Sequence, residues 1–304
     1  MPSRHRRSWS VAGLGALIVL NVVLVGLLVL RPAPVAEERA TSYRPTATET
    51  ATAAPEKQEP AELPTEAGER AQAAPAERLI VNADATTAWR VEKGQCEDSA
   101  ALERTTDGGA TWEALSVDLA PVSRLRVLGP QTLFAIGGGD DCDPTYVSSS
   151  SGGSSWLTND QYLEGSWYIA PSDRSIMATP AGQLSAPCEP VELAALDAAS
   201  AAVLCTDGTL ALTADGGASW ENEVPDISAA AIGVADDGYV LAGSHEACED
   251  GIAVAALETD GDALEEPSCA PAEAGSLAVS GVADTVWLWV DNEVYVSTDS
   301  GQSW

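Results

Sequence analysis

Thr105-Thr106-Asp107-Gly108-Gly109-Ala110-Thr111-Trp112 returns as Thr213-Ala214-Asp215-Gly216-Gly217-Ala218-Ser219-Trp220, and again as Ser297-Thr298-Asp299-Ser300-Gly301-Gln302-Ser303-Trp304. All three read S/T-x-D-x-G-x-S/T-W. Each residue type suits a self-satisfied turn. The Asp carboxylate can accept from backbone N–H groups of its own turn, the Gly admits positive φ, and the Trp supplies an apolar anchor. A fourth copy, Ser149 to Trp156, keeps Gly153 and Trp156 but has Ser151 where the Asp is expected. Turn chemistry accounts for these Asp residues without any catalytic role.

A second repeat surrounds the first. Arg78 to Cys96 (RLIVNADATTAWRVEKGQC), Arg124 to Cys142 (RLRVLGPQTLFAIGGGDDC) and Ala230 to Cys248 (AAIGVADDGYVLAGSHEAC) align without a gap as strand, polar turn, strand and a loop ending in Cys. Short Val, Leu, Ile, Trp and Ala runs between Gly, Asp and Asn continue to the end, the pattern of many short strands with tight turns.

The two motifs together resemble the Asp-box, or bacterial neuraminidase, repeat, from about residue 79 to residue 304. The resemblance implies an all-β fold, a β-propeller in which the box hairpin joins the third and fourth strands of a blade. It makes Thr105, Asp107, Gly109, Trp112, Gly153, Trp156, Thr213, Asp215, Gly217, Trp220, Ser297, Asp299, Gly301 and Trp304 structural, on the face opposite the family's usual ligand site. Phasing the repeats gives six blades near residues 79–118, 119–160, 161–190, 191–224, 225–268 and 269–304. The third has lost its box and the fifth keeps a remnant at Glu258 to Asp262. The sixth has no outer strand of its own within the sequence, and residues 66–77 are poor material to supply one. Either that blade is three-stranded or the chain continues.

The N-terminal quarter is of another kind. Val11 to Leu30 is a run of 20 apolar residues broken only by Asn21, enough for a helix of about 30 Å, the thickness of a bilayer core. Arg4, Arg6 and Arg7 precede it, so residues 1–10 read as a cytoplasmic tail and 11–30 as an uncleaved transmembrane anchor. A signal peptide has a shorter apolar region and ends in a small-x-small site, whereas Arg31-Pro32-Ala33-Pro34 follows here. Residues 31–78 are dominated by Ala, Glu, Pro and Thr and read as a disordered, extended linker. The expected location is therefore the cell membrane, with a monomeric propeller, residues 79–304, outside the cell.

The whole net charge of −31 belongs to that outer part, which carries 6 of the 15 basic residues and 37 of the 46 acidic ones. Such a surface repels phosphate backbones, which excludes the usual basic kind of nucleic-acid binder, and favours cations or basic proteins. All six cysteines follow the anchor, and an even count in an exported chain points to disulfides. Proximity favours Cys188 with Cys205, Cys248 with Cys269 and Cys96 with Cys142. In this reading Cys188 and Cys269 fall between blades, and equivalent points on adjacent blades strain the last pairing. Thiolate metal binding has no C-x-x-C to support it, and no cofactor motif occurs.

Chemistry is sparse. His245 is the one exported histidine, and no G-x-S-x-G, H-E-x-x-H or phosphate-cradling loop accompanies it. Gly137-Gly138-Gly139 and Gly152-Gly153 read as hairpin loops, and Trp287 and Trp289 as packing between blades. A sialidase, the enzyme the resemblance brings to mind, needs three Arg around a carboxylate. Arg90, Arg104, Arg124, Arg126 and Arg174 are scattered over three blades, and the family's Arg-Ile-Pro element is absent. In lacking this machinery the chain is similar to the photosystem II assembly factor-like members of the group, a comparison of fold only. Acidic loops on the cysteine-bearing face, with Asp140, Asp141, Asp143, His245, Glu249 and Asp250, form a candidate binding surface. The spacing of the three Asp matches no calcium loop. The expected function is a binding or scaffold module for a protein or cationic ligand, without catalysis. The alternative is a sialidase-like glycoside hydrolase.

Overall fold

The computed structural model describes residues 73–263 and 266–304. The tail, the apolar run and most of the linker lie outside these residues, and among the described ones no helix is long and apolar enough to cross a membrane. Six antiparallel sheets follow one another along the chain, each in sequential strand order, and make a six-bladed β-propeller. Blade 1 has Arg78–Asn82, Ala88–Glu92, Ala101–Thr105 and Glu113–Leu115. Blade 2 has Val122–Gly129, Thr132–Gly138, Pro144–Ser149 and Leu157–Thr158. Blade 3 has only Tyr168–Ile169, Ile176–Thr179 and Gly182–Ser185. Blade 4 has Pro190–Ala195, Ala201–Cys205, Leu210–Thr213 and Glu221–Glu223, and blade 5 has Ser228–Val234, Gly238–Ser244, Ile252–Glu258 and Ser268–Ala270. Blade 6 has Leu277–Val282, Thr285–Val290 and Glu293–Ser297, three strands among the described residues.

The first strands surround the axis, and apolar side chains fill the space between blades. Trp287 and Trp289 from the second strand of blade 6 pack with Ile80 and Trp112 of blade 1, and Trp287 Nε1 donates to the Asp84 carbonyl at 3.0 Å. The four box hairpins share one hydrogen-bond pattern. In blade 4 the Gly217 N–H donates to Thr213 Oγ1 (3.1 Å), the Ser219 N–H to Asp215 Oδ1 (2.9 Å) and the Ser219 hydroxyl to Asp215 Oδ2 (2.6 Å). Blades 1 and 6 repeat it with Asp107 and Asp299. In blade 2 the Ser151 hydroxyl accepts from the Ser155 N–H at 3.0 Å, so the turn survives the loss of its carboxylate. The glycine at the fifth position has φ between 87° and 91° in all four, a conformation that costs other residues dearly.

Each box hairpin also donates a backbone N–H to the hairpin between the first two strands of its own blade: Gly108 to Thr86, Gly152 to Gln131, Gly216 to Ala199 and Ser300 to Asp284. These two hairpins therefore mark one face of the ring, the box face. The loops after the second strands, with the cysteines, mark the other.

Blade 3 departs from the pattern. The turn after Ile176–Thr179 lies on the box face, where the Ala181 N–H donates to the Gly216 carbonyl. That strand thus runs as third strands do, and Tyr168–Ile169 before it runs as second strands do. What is missing is the first strand. Arg124 and Arg126, from the first strand of blade 2, cross the gap: Arg126 donates to the carbonyls of Ala195 and Leu196 at 3.0 Å each, and Arg124 to those of Trp167 and Ala195.

Three local expectations are corrected. Gly137 and Gly138 belong to the second strand of blade 2, not to a hairpin loop, because the segment before blade 2 presses on them. A Cβ at Gly138 would meet the Ala120 carbonyl oxygen at 2.5 Å. Cys269 lies in the fourth strand of blade 5 rather than between blades. Residues 73–77, assigned by composition to the linker, are hydrogen-bonded to the propeller, and the first strand opens at Arg78.

Candidate functional site

Residues 73–77 form a strap across the cysteine face. The Ala73 N–H donates to the Thr206 carbonyl (2.9 Å) and the Ala76 N–H to that of Val191 (3.0 Å), both in blade 4, while the Glu77 carbonyl accepts from Lys93 in blade 1 (2.8 Å). Beneath it the ammonium of Lys93 meets Glu192 Oε2 at 2.5 Å, with side chains 6% and 3% exposed. This ion pair joins the residue just after the second strand of blade 1 to the first strand of blade 4 across the ring. Burial pushes the lysine below its usual range, and Glu192 opposes that shift. Arg174 sits alongside, donating to the carbonyls of Pro190 and Val191. Ala76 of the strap and Glu192 of the ion pair both line the central channel at its cysteine end.

Beside the strap opens a cleft of about 1010 Å³, walled by the strap, residues 92–99, the entry to blade 2 and the blade 3 loop that carries Arg174. Glu92, Glu97 and Asp98 stand exposed on its rim. The Cys96–Cys142 disulfide clamps the rim to the blade 2 loop with the exposed Asp140, Asp141 and Asp143. Its Cα–Cα distance is 5.2 Å, short enough because the Val122 N–H pairs with the Lys93 carbonyl and draws the two loops together. Cys188–Cys205 and Cys248–Cys269 are the other two disulfides.

His245, Glu249 and Asp250 occupy the equivalent loop of blade 5, across the ring from blade 2. The six residues of the candidate binding surface thus form two acidic loops, not one site. His245 Nδ1 accepts from the Ala247 N–H at 3.1 Å and caps the short helical turn Glu246–Cys248. Among the described residues no three His, Cys, Asp or Glu side chains are grouped to hold a metal ion.

The arginines do separate jobs. Arg90 lies over Trp112 and pairs with Glu103, Arg104 pairs with Glu113, and Arg124 and Arg126 brace the blade 3 gap. Burial, with Arg126 nearby, pushes Arg124 down to about 9. Box Asp215 is held near 2 by the Ser219 hydroxyl and N–H, so it is a carboxylate saturated by its own turn. Sequence reasoning missed Lys93, Glu192 and the strap. Two signals were present: Lys93 is the sole lysine of residues 73–304, and Glu192 interrupts the otherwise apolar Pro190–Ala195.

No family model matches the chain. No curated protein matches it either. Among solved structures, YCF48 bound to D1 peptide is similar at 20% identity, with 76% of this chain and 66% of that one covered and a TM-score of 0.28. A GH74 xyloglucanase from Xanthomonas campestris is similar at 17% identity, over 74% of this chain and 37% of that one, with a TM-score of 0.29. YCF48 from Cyanidioschyzon merolae gives 18% identity, 74% and 69% coverage and a TM-score of 0.29. The chain therefore spans only part of these neighbours, and likeness at this level carries no functional argument.

Proposed function

We propose that the chain is a membrane-anchored Asp-box propeller that presents an acidic face to a basic protein partner outside the cell and catalyses nothing. The observation that carries the reading is the cleft beside the strap, whose exposed Glu97 and Asp98 are held next to the loop of Asp140, Asp141 and Asp143 by a disulfide. Like charges held close together cost free energy unless a counter-charge relieves them, and an acidic rim raises the local concentration of basic partners. The Asp-box assignment is supported by the four equivalent hairpins. The non-catalytic reading is supported by Arg90, Arg104, Arg124 and Arg126, each engaged by scaffold groups outside the cleft. The anchor is Val11 to Leu30.

The test is capture of partners from the native cell envelope with three forms of the full chain. These are wild type, a variant neutralised at Glu97, Asp98, Asp140 and Asp141, and a variant neutralised at Glu249 and Asp250. A basic protein lost only with the first variant, and released by moderate salt, supports the cleft. Identical partners for all three, or hydrolysis of a sialoside or xyloglucan by the purified protein, overturns the reading.

A further inference from the structure

The strap is held by very little. Its three main-chain hydrogen bonds are those of Ala73, Ala76 and Glu77, and only the Ala73 and Ala76 methyls pack on the core, both half-buried. Ala74, Pro75 and Glu77 are exposed, and among the described residues no strap side chain forms a hydrogen bond or an ion pair. Three such bonds and two methyls stand against the entropy of ordering five residues, so the balance is close. The strand that follows is anchored separately. Arg78 donates to the Asp291 carbonyl at 2.7 Å and lies 4.3 Å from the centre of the Trp289 ring, so the strap can lift at Arg78 without disturbing blade 1.

The strap also covers more than it contributes. Ala76 and Arg78 border both the cleft and the central channel, a cavity of about 360 Å³ between the first strands of blades 1, 2, 4, 5 and 6. The Thr206 and Val191 carbonyls and the Lys93 N–H form a track for extended backbone, and main-chain bonds of this kind accept any sequence that can lie extended. The strap's own sequence suits the place poorly. Its Glu77 adds a negative charge to a cleft that already has Glu97 and Asp98 on its rim.

We propose that the strap is an autoinhibitory latch: it occupies in cis the main-chain track beside the cleft, and the basic partner displaces it with an extended segment that sets a cationic side chain among the rim acids. This rests on the cleft reading above and adds its regulation. A tethered strap competes at the high effective concentration of its own chain, so it keeps the track closed to weak peptides and yields to one of better charge. Lifting it joins the cleft to the channel and uncovers the Lys93–Glu192 pair.

Lys93 reports the latch, because the chain has only one other lysine, Lys57. The full chain in nanodiscs is treated with an amine-acetylating ester, and acetylation of Lys93 is followed by mass spectrometry with Lys57 as the reference. Ala73→Pro with Ala76→Pro removes both N–H donors to blade 4. It is expected to raise the rate at Lys93 by about tenfold or more while tryptophan emission from the folded propeller stays unchanged. Ala76→Pro alone is the milder form should the pair not fold. A peptide of Gln72 to Glu77 and its Glu77→Arg form are then added. The Glu77→Arg peptide is expected to restore protection of the opened variant saturably, at roughly a tenth of the concentration the native sequence needs. Wild type, with its track already filled, is expected to respond to neither. Equal acetylation of Lys93 in the folded variant and wild type, failure of both peptides to restore protection, or equal potency of the two peptides overturns the latch. The rim acids could still capture a basic protein from the envelope in each of those cases, so the two readings fail separately.

Discussion

Glu192→Gln is the most informative single change for stability. Lys93 and Glu192 are both shielded from water, and Arg174 lies close enough to add positive charge to the same plug. Removing the carboxylate leaves the ammonium buried without compensation, which costs about 3–5 kcal/mol. For a domain of this size that corresponds to a fall in Tm of roughly 6–20 °C. Lys93→Met should cost less, since the positive charge of Arg174 remains in the same plug. The double variant Lys93→Met, Glu192→Gln leaves neither charge buried alone and should cost far less than the sum of the singles, giving a coupling of about 3 kcal/mol or more. Unfolding in urea, followed by tryptophan fluorescence with disulfides intact, measures all three. The pH dependence adds a signature. A lysine whose folded pKa lies below its unfolded value of 10.5 destabilises the native state fully below the folded pKa, and the penalty vanishes above the unfolded one. The deficit of Glu192→Gln should therefore shrink as pH rises toward 10.5. Single variants within about 1 kcal/mol of wild type, or a double variant as unstable as the sum of the singles, would refute a buried, mutually compensated pair.

Trp287→Ala removes a fully buried indole between blades 6 and 1 and should cost about 3–5 kcal/mol, whereas Trp220→Ala at a half-buried box position should cost about half that; thermal unfolding of both variants checks the order. Thiol labelling without reductant should find no free cysteine. Replacing Cys96 and Cys142 by Ser opens a loop of 46 residues and should cost about 4 kcal/mol, against about 3 kcal/mol for the loops of 17 and 21 residues, by denaturant unfolding. Asp84, Asp107, Asp197, Asp215 and Asp299 are all held below the ordinary value of 3.8 by hydrogen bonds, so their stabilisation is complete above 3.8 and lost as pH falls toward 2. Acid titration followed by near-UV circular dichroism should show the loss in that window, with a shallower slope in Asp215→Asn.

What the sequence disclosed and what it hid divide along one physical line. A box hairpin closes its hydrogen bonds within eight residues, so Thr213, Asp215, Gly217 and Ser219 carry the whole instruction for the turn. The strand frames ending in Cys96, Cys142 and Cys248 are almost as local, and they place six blades within a few residues. Burial was harder to read. The box tryptophans look like core anchors, yet Trp112, Trp156, Trp220 and Trp304 are half-buried at the blade edge. Trp89, Trp167 and Trp287, which lie outside the box, are the fully buried ones, and of these only Trp287 was read from the sequence as packing between blades. Hidden altogether were the contacts that cross the ring. Lys93 and Glu192 are 99 residues apart, and Arg126 reaches the Ala195 carbonyl from 69 residues away. None of these has a local partner whose spacing could announce it. The repeat itself conceals them, because it suggests six equivalent blades where blade 3 lacks its first strand. Departures from the repeat therefore gather at the axis: two arginines fill the gap, and an ion pair and the strap lie at the cysteine end. In a scaffold built from repeated blades, these unrepeated residues are where specific chemistry has room to operate.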